Sequence, residues 1–147
     1  MKAKDVAAVI ERFAPLSTQE GWDNAGFIIG SREAEVHAVL VWFDCTPELI
    51  TEAERRGADM ILTHHPLIFK GVKNIYPDNW LGATIGAAVS KGIVVYAAHT
   101  NADKAAGGVS DLMAARLGLT GCEPLSPAGL GVVGNLPAAM SAEDFIA

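Results

Sequence analysis

The chain has 147 residues, of which 50% are hydrophobic and 19% are charged, and its formal net charge is −6. This composition is typical of one globular domain and excludes a disordered chain. Because no run of Lys or Arg occurs, we expect no binding to nucleic acid, whereas an anionic substrate is compatible with the charge if a bound cation reverses the local field.

Targeting signals and cysteine patterns point to an ordinary intracellular protein. The apolar residues of the N-terminus are interrupted by Asp5, Glu11 and Arg12, which excludes a signal peptide. No segment approaches the ~20 apolar residues of a membrane span. Cys45 and Cys122 form no CxxC pattern and are interpreted as small buried residues in a reducing compartment. We therefore expect a cytoplasmic protein with no membrane partner.

The first third of the chain predicts one helix and two strands. Apolar residues at helical spacing predict an amphipathic helix over residues 4–13, which Pro15 ends. A short strand is expected over residues 25–29, closed by Gly30. The near-continuous apolar run over residues 36–43 predicts a second strand that is buried on both faces.

The middle of the chain alternates helices and strands. Thr46, Pro47 and Glu48 predict a helix start, and that helix is expected to end at Gly57. Buried strands are predicted over residues 58–63 and 93–98, with a helix over residues 80–91 between them and another over residues 109–117. The alternation predicts an α/β fold, with a layered sheet of largely parallel strands flanked by helices.

The end of the chain carries an incomplete signal. Ser141, Ala142, Glu143 and Asp144 are typical of a helix start, yet only three residues follow. We interpret the chain as cut from a longer protein, with a frayed terminus as the alternative. The predicted domains are a metal-binding α/β domain at residues 1–130 and the start of a following segment at residues 131–147.

Polar residues that can bind a metal follow the three predicted buried strands. Asp44 follows the first, His64 and His65 follow the second, and His99 with Asp103 four residues later follows the third. Because ligands gather at the carboxyl ends of parallel strands, these side chains are predicted to converge at one edge of the sheet. Imidazole and carboxylate together suit zinc, iron or manganese.

The paired histidines favour a site for two metals. Pro66 favours an extended backbone at His65, in which adjacent side chains point in opposite directions. The pair is therefore expected to offer one imidazole to each of two ions, which suits hydrolysis of a phosphate bond. Hydrogen-bonded structural histidines are the alternative. His99 is a candidate ligand, partner of a ligand or acid–base group, and Asp44 is a candidate helix cap.

Three further features carry weaker signals. The Gly107-Gly108 pair before a helix start could hold an anion, although a plain turn is the stronger interpretation. The Trp22-Asp23-Asn24 segment is either a turn with an aromatic anchor or a lip over the site. His37 is expected to be exposed to solvent.

Four stretches of sequence carry a family resemblance. They are GWDNAGFIIG at Gly21–Gly30, ILTHHPLIFKG at Ile61–Gly71, VYAAHTNAD at Val95–Asp103 and GVVGNLP at Gly131–Pro137. Their order and spacing resemble the Nif-three-like family, whose members are often named GTP cyclohydrolase I type 2 homologues. The resemblance covers nearly the whole chain.

The resemblance implies an α/β domain, a centre of two metals and a ring-shaped hexamer. It implies that His64 and His65 serve different metals and that Asp103 joins one of them, with a later His and a bridging Glu completing the centre. After Asp103 this sequence has no histidine, and its only later glutamates are Glu123 and Glu143. The pattern is that of the N-terminal portion of such a protein.

Two functions fit these expectations. The first is a metal-dependent hydrolase, or the N-terminal half of one, acting on a nucleotide or phosphoester. His64, His65 and Asp103 would hold up to two divalent ions, and His99 is the tentative catalytic acid–base group. The alternative is a non-catalytic metal-binding scaffold or regulatory protein that acts through homo-oligomeric assembly. A nucleotide-binding Rossmann module is disfavoured because GxGxxG is absent after the first predicted buried strand.

Overall fold

A computed structural model describes residues 1–146 of the chain. These residues form two compact units, one spanning Met1–Ala102 and a second that begins at Asp103. The units reflect compactness alone, and the domain boundary expected after residue 130 remains a prediction.

The first unit contains three helices and four strands. In chain order they are α1 (Ala3–Phe13), β1 (Gly26–Ile29), β2 (Val39–Trp42), α2 (Pro47–Arg56), β3 (Met60–Thr63), α3 (Trp80–Lys91) and β4 (Val94–Ala97), with a 3₁₀ turn at Leu16–Thr18. A short helix, α4 (Thr100–Lys104), follows β4. Every helix and strand predicted for this part of the chain is confirmed, with shorter strands than expected, whereas α4 was not predicted.

The four strands form one sheet in the order β1-β4-β3-β2. Strands β2, β3 and β4 are parallel, and Val39, Met60 and Val94 lie side by side across them. Strand β1 runs antiparallel to β4, with Gly26 opposite Ala97. The predicted α/β fold with a largely parallel sheet is therefore confirmed.

Helices cover both faces of the sheet. Alternate residues of a strand point to opposite faces, and in β4 Val94 and Tyr96 pack with Ala3 and Ala7 of α1. Val95, between them in sequence, instead packs with α2 and α3. All four residues of β4 are buried, so the near-continuous apolar run of this strand reflects its central position in a three-layer fold.

The ends of the helices on one face follow from local sequence. Thr46 caps α2 by accepting a hydrogen bond from the Leu49 amide at 3.3 Å. Gly57 and Gly92 end α2 and α3 with φ of 66° and 68°, a left-handed conformation that glycine adopts without steric cost. The helix starts and stops predicted at these positions are confirmed.

Strand β2 corrects the expectation that its apolar run is buried on both faces. Val41 and Trp42 are each 63% exposed and Val39 is 37% exposed. The strand lies at the edge of the sheet with β3 as its neighbour. An apolar run shows that a strand suits a sheet but does not show whether that strand lies at the centre or the edge.

The second unit contains α5 (Val109–Arg116), β5 (Thr120–Pro124), β6 (Val132–Asn135) and α6 (Ala142–Ile146). Strands β5 and β6 form an antiparallel pair that the sequence did not predict. The predicted start of α6 is confirmed, since Ser141 Oγ accepts a hydrogen bond from the Asp144 amide at 3.1 Å.

The two cysteines differ in burial. Cys45 is buried, whereas Cys122 lies on β5, all of whose residues are exposed. The expectation that both are buried is wrong for Cys122, because that expectation rested on residue type and not on position. Among the helices of residues 1–146, none combines the length and apolar character that a membrane crossing requires.

Candidate metal site

Three histidines converge where β3 and β4 end. Each of His64, His65 and His99 offers a ring nitrogen, and these nitrogens all lie within 4.8 Å of one another. The ring centroids lie 5.0 Å apart for His64 and His65 and 5.1 Å apart for His64 and His99. The structure thus brings together the three histidines that the strand order predicted at one edge.

A backbone bend turns both paired histidines towards this cluster. The amides of His64 and His65 donate to the same acceptor, the carbonyl oxygen of Phe43, at 3.2 and 3.1 Å. The Thr63 hydroxyl donates to the His65 carbonyl oxygen at 2.8 Å. Strand β3 ends at Thr63 and a bend follows at His64 and His65, so the extended backbone at His65 and one imidazole for each of two ions remain predictions.

The ring of His64 is oriented by the end of β4. Its Nδ1 lies 3.0 Å from the carbonyl oxygen of Ala98. A carbonyl oxygen only accepts hydrogen bonds, so Nδ1 carries the hydrogen and donates it. In the neutral ring Nε2 is then the atom whose lone pair can bind a cation.

His99 is held by a buried carboxylate. Its Nδ1 donates to Asp23 Oδ1 at 2.8 Å, and the Asp23 side chain is 0% exposed. Asp23 also accepts from the Asn24 amide at 2.7 Å, from the Thr100 amide at 3.1 Å and from the Thr100 hydroxyl. Burial acts to raise the pKa of Asp23, but hydrogen bonds from Thr100, His99 and Asn24 outweigh it and lower that pKa. Asp23 is thus an ionised, fully bonded support for the imidazole.

The residues after His99 fix the loop that presents it. The His99 amide donates to Asn101 Oδ1 at 2.9 Å, and Asn101 Nδ2 donates to the Ala14 carbonyl oxygen at 2.7 Å. The Asn101 side chain is buried. The His-Thr-Asn sequence is therefore explained locally: Thr100 binds the supporting carboxylate and Asn101 anchors the turn.

His65 has a carboxylate partner of its own, in an exposed setting. Its Nδ1 lies 2.7 Å from Asp44 Oδ1, and the two side chains are 44% and 58% exposed. The interpretation of Asp44 as a helix cap is wrong, because Thr46 caps α2. Asp44 reaches the site because it follows β2, whose neighbour β3 ends at the paired histidines.

All three rings share one hydrogen-bonding pattern. Each Nδ1 donates to an oxygen: a carbonyl for His64 and a carboxylate for His65 and His99. A metal-binding histidine characteristically uses its second ring nitrogen in this way, which fixes the tautomer and raises the basicity of the binding atom. The donor set of three oriented imidazoles fits a divalent transition metal.

Aromatic side chains surround the cluster. Phe43 stacks on His64 with centroids 5.2 Å apart and planes inclined by 24°. Trp22 and Phe69 meet His99 edge-on at 6.5 and 6.1 Å. All three aromatic residues are more than two-fifths exposed. Of the two interpretations of the Trp22-Asp23-Asn24 segment, a place beside the site fits these contacts.

Asp103 is outside this group of three in the described part of the chain. It lies on α4 and begins the second unit, where with Lys104 and Asp111 it lines a cavity of about 230 Å³. Its role as a metal ligand remains a prediction. His37 is 78% exposed, as expected. The Gly107 amide donates to Asp111 at 2.7 Å, which supports a plain turn there.

Sequence reasoning missed the role of Asp23. Because β1 runs antiparallel to β4, the residues that precede β1 lie beside those that follow β4. Asp23 comes three residues before Gly26, whose partner is Ala97, so it lies next to His99. The sequence carried no local signal for this contact, because the contact depends on the antiparallel direction of β1.

Comparisons with known proteins agree with the sequence motifs. A model of the Duf34/NIF3 (NGG1p interacting factor 3) family matches residues 1–147. A GTP cyclohydrolase 1 type 2 homolog from Clostridium perfringens is 39% identical over 152 residues, which are 99% of this chain and 58% of that protein. A protein of the same name from Clostridium acetobutylicum is 43% identical over 118 residues, 80% of this chain and 44% of its own length.

Solved structures agree as well. A Bacillus cereus protein related to NIF3 matches 86% of this chain and 35% of its own, with a TM-score of 0.83 and 38% identity. Reduced HcgD from Methanocaldococcus jannaschii matches 99% of this chain and 58% of its own, with a TM-score of 0.88 and 32% identity. The chain thus spans 58% or less of the length of each of these four relatives.

Proposed function

The chain belongs to the Duf34/NIF3 family, and from that premise we propose that it binds divalent metal ions and acts as a metal-dependent hydrolase, or as the N-terminal half of one. The substrate class is a nucleotide or another phosphoester. His64, His65 and Asp103 hold up to two ions of zinc, iron or manganese, and His99 is the acid–base group. The name GTP cyclohydrolase 1 type 2 homolog is that of the two clostridial relatives.

One observation supports the metal proposal above all others. Three imidazoles that meet at one edge of the sheet each direct Nδ1 to a fixed oxygen acceptor. Histidines with a purely structural role are not expected to share both the same tautomer and the same location. In metal sites a histidine ligand characteristically donates the N–H of its second ring nitrogen to an oxygen acceptor, as each of these three rings does.

The residues of the chain would divide the work as follows. His64 and His65 present Nε2 to a cation, and Asp44 fixes the ring of His65. A bound divalent cation supplies Lewis acidity and lowers the pKa of a water to about 7. His99, oriented by Asp23, holds or accepts a proton at Nε2 beside the bound phosphate group. Phe43, Trp22 and Phe69 border the cluster and contact its rings.

The metal proposal is tested by titrating the 147-residue chain with Zn²⁺ and Mn²⁺ in a calorimeter. We expect binding in the micromolar range or tighter, and its loss in His64→Ala and His65→Ala. His37→Ala is the matched control, since His37 is an exposed histidine outside the cluster. No binding by the parent chain, or equal binding by all variants, would refute the proposal.

The same titration assigns His99. If His99 is the acid–base group, His99→Ala binds metal with the affinity of the parent chain and loses metal-dependent hydrolysis of nucleotides and bis(4-nitrophenyl) phosphate. A loss of metal binding in His99→Ala would contradict this assignment and make His99 a ligand. Metal binding without turnover on any of these substrates would favour the alternative of a non-catalytic scaffold.

Self-association is the second part of the proposal. Strand β2 lies at a sheet edge and exposes Val41 and Trp42, and exposed apolar edge strands pair readily with other chains. This supports a homo-oligomer, with the hexamer and the cytoplasmic location kept as predictions. A small anionic substrate remains the proposed ligand.

A further inference from the structure

A cavity of about 260 Å³ adjoins the histidine cluster in the first unit. Its wall has an apolar part and a polar part, and His65 belongs to the polar one. The lining residues that matter here are Pro66, Leu67 and Trp80 on the apolar side and Asp44, Thr46 and His65 on the polar side. The metal proposal uses Asp44 and His65 but leaves this cavity without a role.

The size of the cavity limits its occupant. Pockets that enclose a whole drug-sized ligand span roughly 300–1,000 Å³, so this cavity takes one part of a larger molecule. Pro66 and Leu67 are buried and form a fixed apolar surface. Trp80 is 60% exposed and presents its indole to solvent. An exposed indole beside a fixed apolar surface suits a flat ring.

The position of Trp80 is fixed by the start of α3. The Asn79 side chain caps this helix by accepting from the Gly82 amide at 2.8 Å. A Cβ added at Gly82 would lie 2.0 Å from the carbonyl oxygen of Tyr76, so the preceding loop packs directly on the first turn. The residue that begins this turn is therefore presented by a fixed backbone.

The polar side of the cavity favours nitrogen in that ring. The Thr46 hydroxyl accepts from the Leu49 amide at 3.3 Å and donates to the Glu48 side chain, so its hydrogen bonds are used within α2. The Asp44 carboxylate only accepts hydrogen bonds. Asp44 already accepts from His65 Nδ1 at 2.7 Å, but a carboxylate has lone pairs for further donors. A ring that carries an N–H group can therefore donate to Asp44, which a hydrocarbon ring cannot do.

We propose that this cavity binds the flat nitrogen-containing ring of the substrate, with Trp80 packed against the ring as the specificity-determining residue. Asp44 and His65 line both the cavity and the cluster, so a molecule with its ring in the cavity places its attached phosphate beside the histidines. The placement of the phosphate rests on the proposed function. The ring site rests on the cavity alone.

The first test compares ligands with and without a ring. Calorimetry on the 147-residue chain with Mn²⁺ would measure adenosine 5′-monophosphate, guanosine 5′-monophosphate and ribose 5-phosphate. We expect at least one nucleotide to bind about tenfold more tightly than ribose 5-phosphate, in line with the usual value of stacking a base on an aromatic side chain. Equal binding of all three would overturn the ring site.

Variants identify the residue responsible. Trp80→Ala should lose the tenfold advantage of the nucleotide and leave ribose 5-phosphate unchanged, and Trp80→Phe should keep most of it. Trp42→Ala is the matched control, because Trp42 is 63% exposed against 60% for Trp80 and lines a different groove. A nucleotide that binds Trp80→Ala as tightly as the parent chain would overturn the proposal.

A second measurement is independent of the metal. The chain has three tryptophans, so its ¹H–¹⁵N spectrum shows three indole signals, which Trp80→Phe and Trp42→Phe assign. Metal-free adenosine should shift the Trp80 signal and leave the Trp42 signal in place. Without that shift the ring site is wrong, whatever the metal titration gives. If the Trp80 signal shifts but the chain does not bind Mn²⁺, the proposed metal-dependent function is refuted and the ring site is supported.

Discussion

Strands β4 and β2 belong to the same sheet, and each is followed by one member of a carboxylate–histidine pair, His99 after β4 and Asp44 after β2, yet their surroundings are opposite. Strand β4 is buried at all four residues, and the pair at its end, Asp23 with His99, is 0% and 16% exposed. Strand β2 lies at the edge, and the pair that Asp44 forms with His65 is 58% and 44% exposed.

This difference separates two uses of one chemical motif. A buried carboxylate with several hydrogen bonds contributes to folding, because its removal leaves donors without partners in a place that water reaches poorly. An exposed carboxylate contributes little to folding, since water replaces it. Removal of the Asp23 carboxylate should therefore lower the stability of the fold, whereas removal of the Asp44 carboxylate should affect binding alone.

The largest contrast is expected from removing each carboxylate. Asp23→Ala deprives the Asn24 amide, the Thr100 amide and hydroxyl and His99 of their acceptor, and should lower the free energy of unfolding by about 3 kcal/mol. Asp44→Ala should lower it by less than about 1 kcal/mol. Urea denaturation of the metal-free chain measures both. Equal losses would show that burial does not distinguish the two pairs.

The strands themselves offer a matched pair of substitutions. Val94→Ala on β4 removes methyl groups that are 0% exposed and should cost about 2 kcal/mol, from lost burial and the cavity left behind. Val41→Ala on β2 alters a side chain that is 63% exposed and should change stability by less than about 0.5 kcal/mol. The same denaturation experiment decides, and a costly Val41→Ala would mean that β2 is covered in solution.

How far the sequence predicted this sheet depends on whether the signal is local. The start and end of α2 were predicted from Thr46 and Gly57 and the end of α3 from Gly92, because caps depend on neighbours in the chain. The parallel strands and their helices followed from alternation. The antiparallel direction of β1, the β5–β6 pair and the exposure of β2 could not be predicted, since each depends on residues distant in sequence.

The candidate site shows the same division. His64, His65 and His99 were predicted because each follows a strand whose position was correct. Asp23 was missed because it lies 76 residues before its partner His99 and reaches it only through the pairing of β1 with β4. Asp44 was predicted at the correct edge of the sheet. The sequence did not show whether its carboxylate would bind the His65 ring or cap the following helix.

Metal affinity gives a smaller contrast in the opposite direction. Asp44→Asn disturbs the group that orients His65, a proposed ligand, and should weaken Zn²⁺ binding about tenfold. Asp23→Asn acts on His99, the proposed acid–base group, and should leave the dissociation constant within about threefold. Calorimetry on both variants, at a temperature where each is folded, tests the assignment. A larger loss in Asp23→Asn would place His99 among the ligands.

A charge on the exposed strand β2 is expected to have the smallest effect on the fold, and it gives a last comparison of β2 with β4. Val41→Lys should leave stability within about 0.5 kcal/mol and shift sedimentation towards a smaller species, because a charged edge strand resists pairing with another chain. Val89→Lys is the control, since Val89 on α3 is 62% exposed against 63% for Val41. If both variants sediment like the parent chain, β2 is not the contact. If both variants sediment as a smaller species, the change reflects net charge, because a contact through β2 predicts dissociation of Val41→Lys alone.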